Sequence, residues 1–158
     1  MSNIRSHQRR ASRRVARRLA LSSVFESDFG QRTATAVLER HLREVEVDDE
    51  IAAYARELVS LVVRHRDTLD ARIGSVAPAY PVVQLARIDR ALLRTGMCEL
   101  LHSPSTPAPV VISEWVSLAR TYSGEPARRL VNGVLGRVAG EESERGSADA
   151  DSGQGVAD

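Results

Sequence analysis

The sequence contains no lysine, a single cysteine and few aromatic residues. All 22 of its basic residues are arginine, and phenylalanine, tyrosine and tryptophan together make up 4% of the 158 residues. The lone cysteine, Cys98, excludes an internal disulfide framework. A chain that is 42% hydrophobic with so few aromatic residues favours packed helices of leucine, valine and alanine over a β-sandwich. We therefore expect an all-α protein.

A long apolar run is also missing. The longest one, LVSLVV at residues 58–63, is far too short to cross a bilayer. The charged N-terminus is not followed by an apolar segment of signal-peptide length. The sequence therefore predicts a cytoplasmic protein without a membrane segment, and its length suits one ordinary domain with a buried core.

Charge is distributed unevenly along the chain, although the net charge is only +1. The first 20 residues contain seven arginines and no acidic residue, whereas residues 141–158 contain six acidic residues and one arginine. A basic segment of this kind is typical of proteins that bind nucleic acid or another polyanion. The alternative is a helix face that is simply solvated.

Apolar residues recur at helical spacing in six segments. The predicted helices cover residues 12–28, 33–45, 48–73, 83–102, 109–122 and 123–140. Gly30 and Gly74 mark the ends of the first and third helices, and prolines interrupt the two longer connectors. We predict that residues 1–11 form a flexible basic arm, residues 12–140 a helical domain, and residues 141–158 a disordered acidic tail.

An Asn-Gly pair at residues 132 and 133 conflicts with the last predicted helix. The pair is a strong hairpin signal, and glycine inside a helix costs about 1 kcal/mol relative to alanine. The continuous helical pattern outweighs it, because no strand-like alternation flanks the pair. We predict that Gly133 permits the close approach of another helix and that Asn132 forms a hydrogen bond to a neighbouring backbone.

Few residues are suited to catalysis or to metal binding. Asp89 and Glu99 fall near the inward face of the fourth helix, where buried acids usually pair with arginine. Cys98 and His102 are four residues apart and supply only half of a metal site. The sequence also lacks a phosphate-binding glycine loop. It predicts a protein that is not an enzyme and that uses no metal or other cofactor.

The fourth helix also carries three arginines, which we predict to point outward, where they are available to a protein partner. They are Arg87, Arg90 and Arg94.

Three stretches together resemble the NusB family. They are RRVARRLALSSVFESD at residues 13–28, LARIDRALLRTGMCELLH at residues 85–102 and APVVISEWVSLARTYSGEPARRLVNGVLGRVA at residues 108–139. The resemblance implies an all-α fold of six or seven helices in two small perpendicular bundles. It also implies binding of the boxA element of nascent RNA together with NusE, a ribosomal protein of the small subunit. Such a complex helps RNA polymerase read through terminators, notably in ribosomal RNA synthesis.

The arginine-rich segment and the start of the last helix carry the RNA contacts that the resemblance implies. The predicted RNA-binding residues are Arg9, Arg10, Arg13, Arg14, Arg17, Arg18, Arg128, Arg129 and Leu130. The arginines of the first helix lie largely off its apolar stripe. We therefore expect that replacing Arg13, Arg14 and Arg17 by alanine weakens RNA binding without unfolding the protein.

The sequence departs from the family pattern at three positions. Leu130 and Ser22 stand where the family usually has phenylalanine and glutamine, and Trp115 replaces a residue that is normally small. Loss of an aromatic stacking surface weakens base recognition by about 1–3 kcal/mol. Trp115 either repacks the core or exposes an aromatic contact point. The alternative function is a protein-interaction module, or a homodimer, that has lost boxA recognition.

Overall fold

The computed structural model describes residues 1–153, which form six α-helices. They are α1 (Ser2–Ser27), α2 (Ala34–Glu44), α3 (Asp49–Val76), α4 (Arg87–His102), α5 (Ala108–Tyr122) and α6 (Glu125–Ser152). A single 3₁₀ turn at Val82–Gln84 precedes α4. Residues 1–153 contain no strand, which confirms the all-α prediction. Over the same residues, no helix combines the length and the apolar character needed to span a membrane.

Helix ends differ from the prediction at both termini. α1 already begins at Ser2 and α6 continues to Ser152, so residues 2–11 and 141–152 are helical where we expected a flexible arm and a disordered tail. Arginine and glutamine in the first segment, and glutamate and alanine in the second, have good helix propensity. Ion pairs of 3.0 Å from Arg72 to Glu141 and Glu142 also hold the first extra turn of α6. The last five residues of the predicted tail, 154–158, lie outside the described residues.

Two internal helix ends also differ from the prediction. α3 continues through Gly74 to Val76, because Ile73 and Val76 are both buried and continuing the helix keeps them on its buried face. α4 begins at Arg87 rather than near Val83, since the preceding residues form the 3₁₀ turn.

The apolar core consists of two clusters, and α3 contributes to both of them. The first cluster joins α1 and α2 to the first half of α3, around Ala20, Leu38 and Leu58. The second joins the end of α1 and the other half of α3 to α4, α5 and α6, around Leu92 and Trp115. This division matches the two small bundles that the resemblance implies.

A close helix contact is made at a different glycine from the predicted one. Asn132 and Gly133 do lie inside α6, but both are exposed and no other atom lies within 4 Å of a Cβ built on Gly133. The prediction of a close helix approach there is therefore wrong. On α4, a Cβ built on Gly96 would lie 3.0 Å from Cγ of Trp115 and 3.2 Å from Cδ1 of Leu135. Trp115 is fully buried, so it repacks the core.

The turn between α5 and α6 requires a glycine. Gly124 has φ +117°, in the region that side chains with a Cβ rarely adopt, and it precedes the first residue of α6. This turn links Tyr122, an exposed aromatic residue at the end of α5, to Arg128 in the first turns of α6. The RNA contacts predicted on α6 therefore begin a few residues after Tyr122.

Candidate nucleic-acid interface

Exposed arginines of α1 border a groove that faces the α4–α5 connection. This groove, called here the loop groove, lies between the first half of α1 and residues 105–114, and its volume is about 480 Å³. Arg9 and Arg10 are exposed at its edge, and Arg14 also lines it. Within residues 1–153, no acidic side chain pairs with Arg9, Arg10 or Arg18. These guanidinium groups remain available to an anionic ligand.

Arg17 does not belong to this exposed set. It is 2% exposed, and its Nε and Nη2 donate to the two carboxylate oxygens of Glu99 at 2.8 and 2.9 Å. Burial acts to lower the pKa of Arg17, but the hydrogen bonds and negative charge of Glu99 outweigh it and raise the pKa. The prediction that Arg17 lies off the buried face is wrong, because an acid 82 positions away in the sequence pairs with it inside the core.

Glu99 is fully buried and accepts hydrogen bonds from three other side chains. Besides Arg17, the hydroxyl of Tyr54 and Nε1 of Trp115 donate to it, the latter at 2.7 Å. The four residues come from α1, α3, α4 and α5, so that one buried carboxylate joins four helices. This confirms the expectation that a buried acid here pairs with arginine.

A second groove, called here the α1–α5 groove, runs between those two helices and is lined by Arg14, Arg18 and Tyr122. Nε and Nη2 of Arg14 lie 3.1 Å from the carboxylate of Glu114 on its wall. Tyr122 is 46% exposed at the end of α5. Sequence reasoning missed Tyr122, although an aromatic residue next to a turn and off the buried face of α5 was the available signal.

The predicted contacts on α6 lie in a third groove, called here the α6 groove, between α6 and residues 76–89. Arg129 and Leu130 line it together with Tyr80, which is 54% exposed. Arg128 instead pairs with Glu125 at 2.6 Å, and this hydrogen bond lowers the pKa of Glu125. The structure thus divides the predicted RNA contacts between separate grooves.

Two of the three α4 arginines do not point outward as predicted. Arg94 is 6% exposed and donates to both oxygens of Asp70 at 2.7 and 2.8 Å. Arg90 is half-buried and lies 2.7 Å from Asp28 at the end of α1. Only Arg87 is exposed, with its guanidinium carbon 4.5 Å from the ring centroid of Phe29. Acidic residues on α1 and α3, which helix periodicity alone does not reveal, hold the other two inward.

Three further residues of α4 were candidates for catalysis or metal binding, and each is buried or in contact with a neighbouring side chain. Burial, followed by the charge of Glu99, raises the pKa of the Cys98 thiol to about 12, so it is protonated at neutral pH. His102 stacks on His65 with ring centroids 3.8 Å apart. Asp89 accepts a hydrogen bond of 2.6 Å from Ser123. Among residues 1–153, no group of three or more side chains is arranged to hold a metal ion.

Comparison with known proteins places this architecture in a family. A model described as the NusB family matches residues 14–140, which is most of the chain. This chain belongs to the NusB family. One relative is the transcription antitermination protein NusB of Dehalococcoides mccartyi, which is 39% identical over 127 residues, covering 80% of this chain and 89% of the relative.

Solved NusB structures have the same fold. NusB from T. maritima superposes with a TM-score of 0.77 at 28% identity, covering 82% of this chain and 91% of that one. A crystal structure of the antitermination factors NusB and NusE in complex with double-stranded RNA gives a TM-score of 0.76 at 26% identity, covering 83% of this chain and 98% of that one. The family match ends at residue 140, so most of the acidic extension of α6 lies beyond it.

Proposed function

We propose that this protein is an RNA-binding transcription antitermination factor. It binds single-stranded boxA RNA together with NusE in the cytoplasm and, within an antitermination complex, supports read-through by RNA polymerase, especially in ribosomal RNA synthesis. It has no enzymatic step of its own. The observation that carries the proposal is the set of exposed arginines along α1, on the helix where the family match begins.

These exposed arginines supply the affinity for phosphate groups. Arg9, Arg10 and Arg18 have no acidic partner among residues 1–153. The side chain of Arg14 is 58% exposed and pairs with Glu114, and it reaches a phosphate by releasing that ion pair. Because every nucleotide has the same phosphate, these contacts position an RNA strand without reading its sequence. Arg17 supports this surface from below and does not touch the RNA.

Base recognition requires flat side chains that face solvent. Tyr122 in the α1–α5 groove and Tyr80 in the α6 groove are both exposed, and each lies beside a predicted RNA-binding arginine. Unpaired bases stack on such aromatic rings, whereas a duplex keeps its bases stacked internally. The arrangement therefore favours single-stranded RNA and makes up for the leucine at position 130.

A separate surface suits the protein partner. Phe29 and Val83 are exposed apolar residues near the start of α4, and Val83 is 82% exposed. Arg87 lies over the Phe29 ring and supplies a charged edge. Arg90 and Arg94 lie beneath this surface and fix Asp28, next to Phe29. Apolar side chains bordered by arginine are common at protein interfaces, and we assign this surface to NusE.

Fluorescence anisotropy across a salt series tests the proposal. The labelled RNAs are a boxA strand, a scrambled strand and a boxA duplex, each with and without NusE. We expect preference for the boxA strand and a stronger preference when NusE is present. Equal, weak and salt-sensitive binding to all three RNAs would contradict specific recognition and favour the alternative, a protein-interaction module on the same fold.

The variant Val83→Glu separates the two surfaces. We expect it to abolish the effect of NusE while leaving binding of the RNA strand alone unchanged, because Val83 is remote from the arginines of α1. An unchanged NusE effect would place the partner elsewhere. Formation of a homodimer is still a prediction, and light scattering on the same samples tests it.

A further inference from the structure

Arg13 is held differently from the other arginines at the start of α1. Its guanidinium carbon lies 4.4 Å from the ring centroid of Tyr54. In addition, Nη2 donates to Oγ of Ser105 at 2.9 Å and Nη1 donates to Oγ1 of Thr106. The N–H donors of a guanidinium lie in its plane, so two such bonds and a ring against one face fix the orientation of that plane. Arg13 is therefore a flat cation with a defined direction.

The ring beneath Arg13 is itself immobilised. Tyr54 is buried and its hydroxyl donates to Glu99, the carboxylate that Arg17 and Trp115 also bind. A platform that rests on this buried network loses little conformational freedom when a ligand stacks on it.

Arg13 lines the loop groove, whereas Tyr54 does not. The groove also has an apolar wall, formed by Pro107, Pro109 and Val110. Its volume of about 480 Å³ falls in the range of about 300–1,000 Å³ that is common for small-molecule sites. The groove therefore combines a guanidinium with apolar side chains, the two kinds of surface on which a flat base can pack.

The charged residues of the groove are not equally available to a ligand. Glu114, the one acid among its lining residues, is already paired with Arg14 at 3.1 Å. Arg9 and Arg10 are exposed and have no acidic partner among residues 1–153, so they are better placed for phosphates. A nucleotide with its phosphate at Arg9 or Arg10 and its base on Arg13 uses both kinds of arginine.

We propose that Arg13 is the stacking platform for one unpaired RNA base, which lies between its guanidinium and the wall formed by Pro107, Pro109 and Val110. Arg13 is then not a phosphate contact. This inference rests on the proposed RNA-binding function and adds to it a residue that determines base recognition. Stacking of unpaired bases on arginine planes is an established mode of RNA recognition.

The test compares Arg13→Lys with Arg64→Lys. Lysine keeps the positive charge but lacks a plane that can stack. We expect Arg13→Lys to weaken binding of the boxA strand about tenfold, in line with the loss of one stacked base, with an unchanged salt dependence. We expect Arg64→Lys to bind like the wild type, because Arg64 is exposed on α3 and lines none of the three grooves described above.

Strands with one abasic position identify the stacked base. We expect one abasic position to weaken binding by the wild-type protein and to have no further effect on Arg13→Lys, since both changes remove the same contact. The double variant Ser105→Ala, Thr106→Val keeps Arg13 but frees its plane, and we expect it to reduce the penalty at that same position. Urea unfolding followed by the fluorescence of Trp115 verifies that each variant is folded.

Two results would overturn the stacking role alone. In the first, Arg13→Lys binds RNA as tightly as the wild type does. In the second, Arg13→Lys weakens binding by the same factor for every abasic strand. If the wild-type protein binds none of the RNA strands, the proposed function fails as well, so the two failures are distinguishable.

Discussion

Arginine residues in this chain have opposite roles according to the partner that each one meets. Arg17 and Arg94 are buried against carboxylates of other helices, whereas Arg9 and Arg10 face solvent. A buried guanidinium is stable only when its hydrogen bonds are satisfied, and removal of one partner leaves the other charge without compensation. The buried arginines are therefore needed for the fold, whereas exposed arginines without an acidic partner, such as Arg9 and Arg10, are available to a ligand.

Arg17→Ala tests the structural role of the buried pair. We expect it to lower the free energy of unfolding by about 3–5 kcal/mol, because Glu99 is left charged inside the core. Arg14→Ala is the matched control, since Arg14 pairs with Glu114 at the surface, and we expect a change within about 1 kcal/mol. Urea unfolding followed by Trp115 fluorescence measures both. Equal stability of the two variants would contradict the role given to Arg17.

Cys98 provides a residue-scale test of burial. With its thiol pKa raised to about 12, we expect no reaction with a thiol reagent at pH 8 in the folded protein and full reaction in urea. The unfolded thiol loses its proton from about pH 8.5, and the folded thiol keeps it. The free energy of unfolding should therefore fall as the pH rises toward 12, less steeply in Cys98→Ala. Rapid labelling of the folded protein would show that the site opens.

Helix packing in the second cluster depends on one pairing of a small with a large residue. The missing side chain of Gly96 on α4 leaves space for Trp115 of α5, and Leu135 of α6 closes the same contact. Protein interiors are close-packed, so a single added methyl group is felt at such a contact. This pairing makes room for the bulky side chain of Trp115 inside the core.

Gly96→Ala should destabilise the protein by about 1–3 kcal/mol, because the new methyl group overpacks the contact with Trp115. Gly136→Ala is the control. That glycine is also inside a helix but has no atom within 4 Å of a built Cβ, so alanine should stabilise α6 by about 0.5–1 kcal/mol. Thermal unfolding followed by circular dichroism gives both values, and destabilisation by the two variants alike would refute this packing account.

On the scale of the whole molecule, opposite charges collect at the two ends of the chain. The helix that begins the protein is strongly basic, and residues 141–158 carry a net charge of −5. The net charge of +1 therefore says little about the field that an RNA strand meets near α1. What matters is how many free guanidinium groups lie along one surface.

The salt dependence of RNA binding reports how many of those guanidinium groups contact phosphates. With four phosphate contacts from Arg9, Arg10, Arg14 and Arg18, log K should fall against log salt with a slope of about −3, since each contact on a single strand adds about −0.7. The triple replacement of Arg9, Arg10 and Arg14 by alanine should reduce the slope by about 2. Replacement of Arg43, Arg64 and Arg66, which are exposed on α2 and α3, changes the net charge equally and should leave the slope nearly unchanged. Equal slopes for the two triple variants would rule out a localised binding surface.

Local sequence patterns were sufficient to predict the all-α fold class and the approximate positions of the helices. Apolar spacing located all six, and the arginine-rich start marked α1 as the basic element, because both properties are set by residues close together in the chain. Helix ends were less predictable. The extra turns at residues 2–11 and 141–152 carry no apolar stripe, so the pattern that reveals a packed helix was absent there.

Only the tertiary structure decided which residues of one type are buried and which are free. Arg17 meets Glu99 across 82 positions, Arg13 meets Thr106 across 93, and Gly96 rather than Gly133 lies at the close contact. Side-chain periodicity fixes the face of a helix on which a residue lies, but the charge or space that it meets there belongs to another helix. The sequence by itself therefore determined the helices and the basic surface, and the packing of those helices determined which arginines can reach RNA.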